Sequence, residues 1–214
     1  MAAIPDLPRL EPNLEFARPS SPEQLQLVSR ALENNGFHAL IAHSRDEARQ
    51  MVLDLVPEGV EVHIGLSETM RELGVTSEIE NSGRYDAIRP KLTQLDRETQ
   101  QREIRKLGTA PDYMLGSVHA ITEGGVLVAA SGSGSQLAPY AYGAGKLILV
   151  VGSQKIVRDL DEALRRVREY SLPLEDARMK SLGRPGSLIS KILILEWERP
   201  GRVTVILLQD PIGF

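Results

Sequence analysis

Residues 21–64, SPEQLQLVSRALENNGFHALIAHSRDEARQMVLDLVPEGVEVHI, carry the pattern that decides the fold. Ser21-Pro22-Glu23-Gln24 is a helix start, with serine at the N-cap, proline at the first helical position and glutamine three residues after the cap. Leu25, Val28 and Leu32 follow at helical spacing, and Asn34-Asn35-Gly36 stops the helix. Residues 37–42 read as a short strand. The same grammar then repeats. Ser44-Arg45-Asp46-Glu47 caps a helix through Ala48, Met51, Val52 and Leu55, Pro57-Glu58-Gly59 turns, and residues 60–64 form a strand. Strand and helix alternating across short loops predict an α/β sheet with parallel strands.

Working outward, residues 1–20 read as an extended arm punctuated by Pro5, Pro8 and Pro12, and residues 21–214 as a single domain, with no linker rich enough to divide it. Residues 89–107 are mostly charged, with Leu92, Leu95, Ile104 and Leu107 widely spaced, and predict one solvent-bridging or partner-packing helix. Strands are expected at 118–121, 126–130 and 147–151, and an amphipathic helix at 159–170. Residues 188–197 and 203–208 flank the turn Arg199-Pro200-Gly201-Arg202, which predicts that these two strands pair antiparallel.

Composition excludes several classes. The 214 residues contain 25 basic and 29 acidic side chains, a net charge of -4, and only 4% aromatics. That balance argues against a nucleic-acid partner, which requires clustered positive charge and stacking platforms. Cysteine is absent, which removes disulfides, iron–sulfur ligation, thiolate nucleophiles and cysteine zinc sites. The longest apolar runs are five residues, against roughly 20 for a membrane helix, and the N-terminus lacks a signal-peptide core, so a cytoplasmic protein is expected. The residues identify no cofactor. Neither dinucleotide fingerprint nor P-loop is complete, because Leu137 stands where the third glycine would be and Leu147 follows Gly145-Lys146. His38, His43, His63 and His119 lie in four separate segments and read as scattered structural histidines rather than a metal site.

Three loops beside predicted strand ends are the candidate ligand site, since ligands of α/β sheets collect there. The first holds Ser67 and Thr69, the second Thr122, Glu123, Gly124 and Gly125, and the third Ser131, Ser133, Gly134, Ser135 and Gln136. Small residues let backbone amides approach a ligand, and hydroxyls suit phosphate or carboxylate. The competing reading is structural: Ser67 caps a helix and the glycines make turns. Glu123 is the candidate catalytic group, as general base or nucleophile, against the alternative of an exposed turn carboxylate. Arg178, Arg184 and Lys191 either bind an anion or solvate a loop.

Residues 118–128, with Ala120-Ile121-Thr122-Glu123-Gly124-Gly125 at their centre, resemble the A-I-T-E-x-G-x-L-V core of the LUD (lactate utilisation) domain family. Residues 150–157 are similar to that family's V-V-G-x-x-K-I-V and are followed by a matching Asp159-Leu160-Asp161-Glu162-Ala163-Leu164. Residues 171–178, the 201–214 ending and Ser67-Glu68-Thr69 with Leu73-Gly74 also resemble family segments. The resemblance implies a three-layer α/β/α, open, mostly parallel sheet, like that of CoA-transferases, ribose-5-phosphate isomerase and glucosamine-6-phosphate deaminase. It further implies a bacterial accessory protein that binds a small organic acid or phosphorylated ligand in lactate-type metabolism, beside iron–sulfur partner subunits of a lactate-oxidising system. A second implied reading is an independent CoA-transferase-like or sugar-phosphate enzyme that uses Glu123 as an acyl-accepting nucleophile. A third is a regulatory or interaction protein, with a homo-oligomer permitted through an edge strand. Where many relatives carry Gly-Asn-Arg, this chain has Gly134-Ser135-Gln136, so a fixed bidentate cation is missing from the third loop.

Overall fold

The computed structural model describes residues 11–214. In chain order its elements are α1 (Pro22–Asn34), β1 (His38–Ala42), α2 (Arg45–Leu55), β2 (Glu61–Ile64), α3 (Glu68–Glu72), α4 (Val75–Asn81), β3 (Asp86–Ala87), α5 (Ile88–Gln94) and α6 (Gln101–Thr109). There follow β4 (Tyr113–Gly116), β5 (Ala120–Thr122), β6 (Leu127–Ser131), β7 (Lys146–Gly152), β8 (Ile156–Val157), α7 (Leu160–Arg166), α8 (Leu172–Ser181), β9 (Lys191–Leu195) and β10 (Val203–Leu208). Both expected helix starts form. Ser21 Oγ accepts from Gln24 N while the Gln24 side chain accepts from Ser21 N, and Ser44 Oγ accepts from Glu47 N.

The main sheet is six-stranded, ordered β1-β10-β7-β4-β2-β3, with every described pairing parallel. Its central strands are buried on both faces. Along β7, Leu147, Leu149 and Val151 join one core with Leu25, Val28 and Leu32 of α1, whereas Ile148 and Val150 join the other with Ala48 and Val52 of α2 and Met70 of α3. Burial on both sides explains why β7 reads as a continuous apolar run rather than an alternating one. A second, four-stranded sheet, β8-β5-β6-β9, adds to the first core through Ile121, Leu127 and Ala129. Its other face meets α7 and Phe16 in a third core.

The structure corrects four expectations. The two late strands do not pair with each other: β9 runs antiparallel to β6 in the small sheet, and β10 lies parallel between β1 and β7. Val203, Val205, Ile206, Leu207 and Leu208 are all buried, as an interior parallel strand requires, while β9 holds only half-buried and exposed positions. Residues 89–107 are two helices rather than one. Asp96 breaks them, its carboxylate accepting from Glu98 N and Thr99 N at 2.8 Å each. The helix expected at 159–170 is α-helical only to Arg166; residues Val167–Ser171 form a π turn leading into α8. In the arm, residues 1–10 lie outside the described residues. Leu14–Ala17 is a 3-10 turn rather than extended chain, anchored by buried Phe16 and by Asn13 N donating to Glu169 O at 2.8 Å.

Candidate functional site

The segments that leave the C-terminal ends of parallel strands converge. Residues 65–69 follow β2, residues 117–119 follow β4, and Ser153–Lys155 follows β7. With the loop after β6 and a roof from the π turn and α8, they enclose a cleft of about 310 Å³. This is where an open parallel sheet gathers its ligands, because the loops diverge at strand ends and leave a crevice between them.

The floor of the cleft holds Lys155, whose side chain is 1% exposed. Its Nζ donates to Thr69 Oγ1 and to Ser117 Oγ, both at 3.1 Å. No carboxylate of the described residues forms an ion pair with it, and Glu72 acts on it only through space. Burial, reinforced by the positive charge of Arg166, pushes the Lys155 amine down from its ordinary value to about 7. The group therefore sits at the border between ammonium and amine at neutral pH.

The surroundings fix it in place. Ser117 is held at its backbone by Tyr140, whose hydroxyl accepts from Ser117 N and donates to Ser117 O at 3.1 Å each. Burial raises the Tyr140 pKa, so the phenol stays protonated. Gln154 clamps the C-terminal tail, its Nε2 donating to Ile212 O and Gly213 O at 2.9 Å. The tail then passes so close to Thr69 that a Cβ on Gly213 would lie 2.3 Å from Thr69 Oγ1, which only glycine permits. His119 accepts from Ala130 N at 3.1 Å through Nδ1, which leaves Nε2 as the protonated nitrogen of a neutral ring. Burial and the neighbouring Lys155 and Arg166 charges depress its pKa to about 3.

Two of the three candidate loops meet here. Ser67 and Thr69 line the cleft, with Ser67 also capping α3 by accepting from Met70 N at 3.3 Å. Ser67 therefore both caps α3 and lines the cleft. Ser131, Ser133, Ser135 and Gln136 line the opposite wall. Ser131 Oγ donates to Gln136 Oε1 and accepts from Gly134 N, both at 2.8 Å, so Gly134 shapes the loop without facing the cavity. Glu68 and Glu175 also reach the cleft, and both are paired with Arg178, the Glu175 contacts lying at 2.7 and 2.8 Å and the Glu68 contact at 3.0 Å. Arg178 is therefore committed to carboxylates rather than free for an anion.

The second loop is elsewhere. Thr122, Glu123, Gly124 and Gly125 make the turn of the β5–β6 hairpin, which packs over the C-terminal end of α1 and does not line the cleft. Asn35 Nδ2 donates to Gly124 O at 2.9 Å, and Thr122 Oγ1 accepts from Val126 N at 3.0 Å. Gly125 has φ +78, and a Cβ there would fall 2.8 Å from the Ala31 carbonyl carbon. These are packing roles, and the Glu123 side chain is exposed. Glu123→Gln is expected to keep stability within about 0.5 kcal/mol and to leave any ligand-induced thermal shift unchanged; urea unfolding and differential scanning fluorimetry check both.

Sequence reasoning passed over Lys155, Ser117 and Tyr140. The available signal was Lys155 itself, a cation placed in the short connection between the apolar β7 and β8. His38 lies near Glu33 and His43 near Gln209, and among the described residues there is no group of three or more His, Asp or Glu placed to hold a metal ion. No helix of the described residues is long and apolar enough to cross a membrane.

The fold is an open α/β sheet with a polar cleft at the ends of its parallel strands, the place where ligands of such sheets collect. The chain belongs to the LUD domain family, whose sequence profile matches residues 25–208. A crystal structure of a DUF162 family protein from Deinococcus radiodurans is similar, with a TM-score of 0.54 at 13% identity, covering 89% of this chain and 99% of that one. At that identity the likeness shows the fold alone. No curated protein matches the chain by sequence.

Proposed function

We propose that the protein binds a small anionic compound, an organic acid or a phosphorylated metabolite, in the cleft above Lys155, and that it does so as an accessory protein of lactate-type metabolism. The observation that carries this reading is a buried amine whose hydrogen-bond partners are two hydroxyls and which no carboxylate of the described residues pairs. A buried cation without a counter-charge is costly, and an incoming carboxylate or phosphate supplies that charge. The Ser67 hydroxyl at the wall, which accepts from Met70 N and keeps its own proton, is suited to donate to one of the anion's remaining oxygens. The family's association with lactate utilisation favours a carboxylate, and accessory status would place partner subunits beside it.

The alternative of an enzyme reacting through Glu123 loses its support from geometry, since that carboxylate lies outside the cleft. A thermal-shift panel of L-lactate, pyruvate, CoA, inorganic phosphate and ribose 5-phosphate tests the reading. A ligand present at 100 times its dissociation constant adds about 2.7 kcal/mol of stability, a shift of several degrees. The shift is expected to be larger at pH 6 than at pH 8, because a bound anion favours the protonated amine and Lys155 titrates at about 7. Burial sets that value first, with the Arg166 charge lowering it further and Glu72 raising it, and neutral His119 does not titrate in the window. Absence of a shift with every anion at both pH values contradicts the proposal.

A further inference from the structure

Resting on the reading of the cleft as an anion site, we propose that Lys155 is a covalent site: its Nζ forms an imine with a small aldehyde or ketone that also carries the anionic group, the simplest class being a 2-oxo acid. Three structural features support this. The amine is at the floor of a cavity large enough for a compound of a few carbons. It is buried to 1% exposure at the base of that cleft, which limits the access of bulk water to a C=N bond formed there. Its two hydrogen-bond partners, Thr69 Oγ1 and Ser117 Oγ, are neutral hydroxyls, each able to accept an N–H and pass a proton on. A lysine held in an ion pair would be locked as ammonium and inert as a nucleophile; this one is not paired.

The chemistry balances without a further reagent. The nitrogen lone pair attacks the carbonyl carbon, the C=O π pair moves to oxygen, and a proton passes from nitrogen to that oxygen through a hydroxyl neighbour, giving a carbinolamine. A second proton, taken from solvent at the open side of the cleft, then reaches the oxygen, the nitrogen lone pair forms the C=N bond, and water leaves. The product is a protonated imine, whose positive charge pairs with the ligand's own carboxylate. The depressed basicity of Lys155 matters because only the neutral amine attacks: near pH 7.5 most of Lys155 is neutral, against about one part in a thousand for an ordinary lysine.

The test uses the full chain with pyruvate or glyoxylate as probe and sodium cyanoborohydride to convert any imine to a stable secondary amine. Intact mass and tryptic mapping then locate the adduct, and glycolaldehyde serves as an uncharged control. The expected result is one adduct per chain, on Lys155, formed on the order of a hundredfold faster than on the exposed Lys106 or Lys180, and preferred with the two oxo acids over glycolaldehyde. The Lys155→Arg variant, which keeps a cation, would lose the adduct. Thermal shifts are recorded on the same samples without reductant. Stabilisation by the oxo acids with no enrichment of label at Lys155 overturns the imine while leaving anion binding standing; neither stabilisation nor label overturns both.

Discussion

Lys155→Met is expected to abolish anion binding and, at pH 6, to make the protein more stable by about 2–4 kcal/mol. The reason is linkage. The amine titrates at about 7 in the folded protein and at its ordinary 10.5 when unfolded. Between those values the unfolded chain binds the extra proton, so stability rises with pH across that window. Below about pH 7 both states are protonated, and the full cost of burying the ammonium bears on the folded state. At about 1.4 kcal/mol per pH unit that cost is some 5 kcal/mol, offset in the variant by roughly 1 kcal/mol for each of the two lost hydrogen bonds, to Thr69 and Ser117. By pH 9 much of the ammonium penalty has gone, so the stabilising effect of the substitution should shrink to near zero. Urea unfolding of both proteins at pH 6 and pH 9 reads this directly. A variant less stable than the parent at pH 6 would mean that Lys155 carries a structural bond rather than a stored cost of the kind common at functional sites.

The opposite sign is expected one layer behind the cleft. Arg166→Ala should lose about 3–5 kcal/mol. Arg166 is 0% exposed and ends α7 at the start of the π turn. Its Nε donates to Gln154 O at 3.2 Å, its Nη1 to His119 O and to Ser171 Oγ at 3.2 Å, and its guanidinium lies 4.9 Å from the Tyr170 ring centre. One side chain thus ties the segment before Lys155, the segment after β4 and the roof of the cleft together. Removing it leaves several buried acceptors without a donor and opens a cavity. Arg166→Lys should recover little, because a single ammonium cannot span the planar fork of donors. The variant also has an electrostatic signature. Losing the positive charge that helps depress Lys155 should raise the amine's pKa, moving the pH dependence of anion binding upward. Chemical unfolding measures the first effect, and the pH profile of ligand-induced stabilisation measures the second in any fraction that folds.

The contrast between those residues shows what the sequence could and could not tell. Local signals translated well: Ser21 and Ser44 cap helices where expected, and the apolar run at 147–151 is the centre of the sheet. Partner choice was not local. The Arg199-Pro200-Gly201-Arg202 turn suggests a hairpin, yet β10 is apolar on both faces and so belongs inside the parallel sheet, leaving β9 to join the other one. The same non-locality misplaced Glu123. A Thr-Glu-Gly-Gly turn beside a strand looks like a ligand loop, but β5 and β6 are in the second sheet, and their turn lies over α1, away from the ends of β2, β4 and β7. Ser67, Thr69 and the 131–136 loop stand out in the sequence because they combine small or hydroxyl residues with a position after a strand, and the structure brings them to one cleft. Lys155 was hard to see because its importance comes from what surrounds it, two hydroxyls and a guanidinium contributed by segments up to 86 residues distant in sequence.

In the proposed site, ligand recognition is organised by Lys155 and not by Glu123. Isothermal titration at pH 6.5 tests it most directly, using the carboxylate or phosphate compound that gives the largest thermal shift with the parent protein and comparing parent, Lys155→Met and Glu123→Gln. Unchanged affinity is expected for Glu123→Gln and at least a tenfold loss, about 1.4 kcal/mol or more, for a folded Lys155→Met. Equal affinity in Lys155→Met, or loss confined to Glu123→Gln, would contradict it.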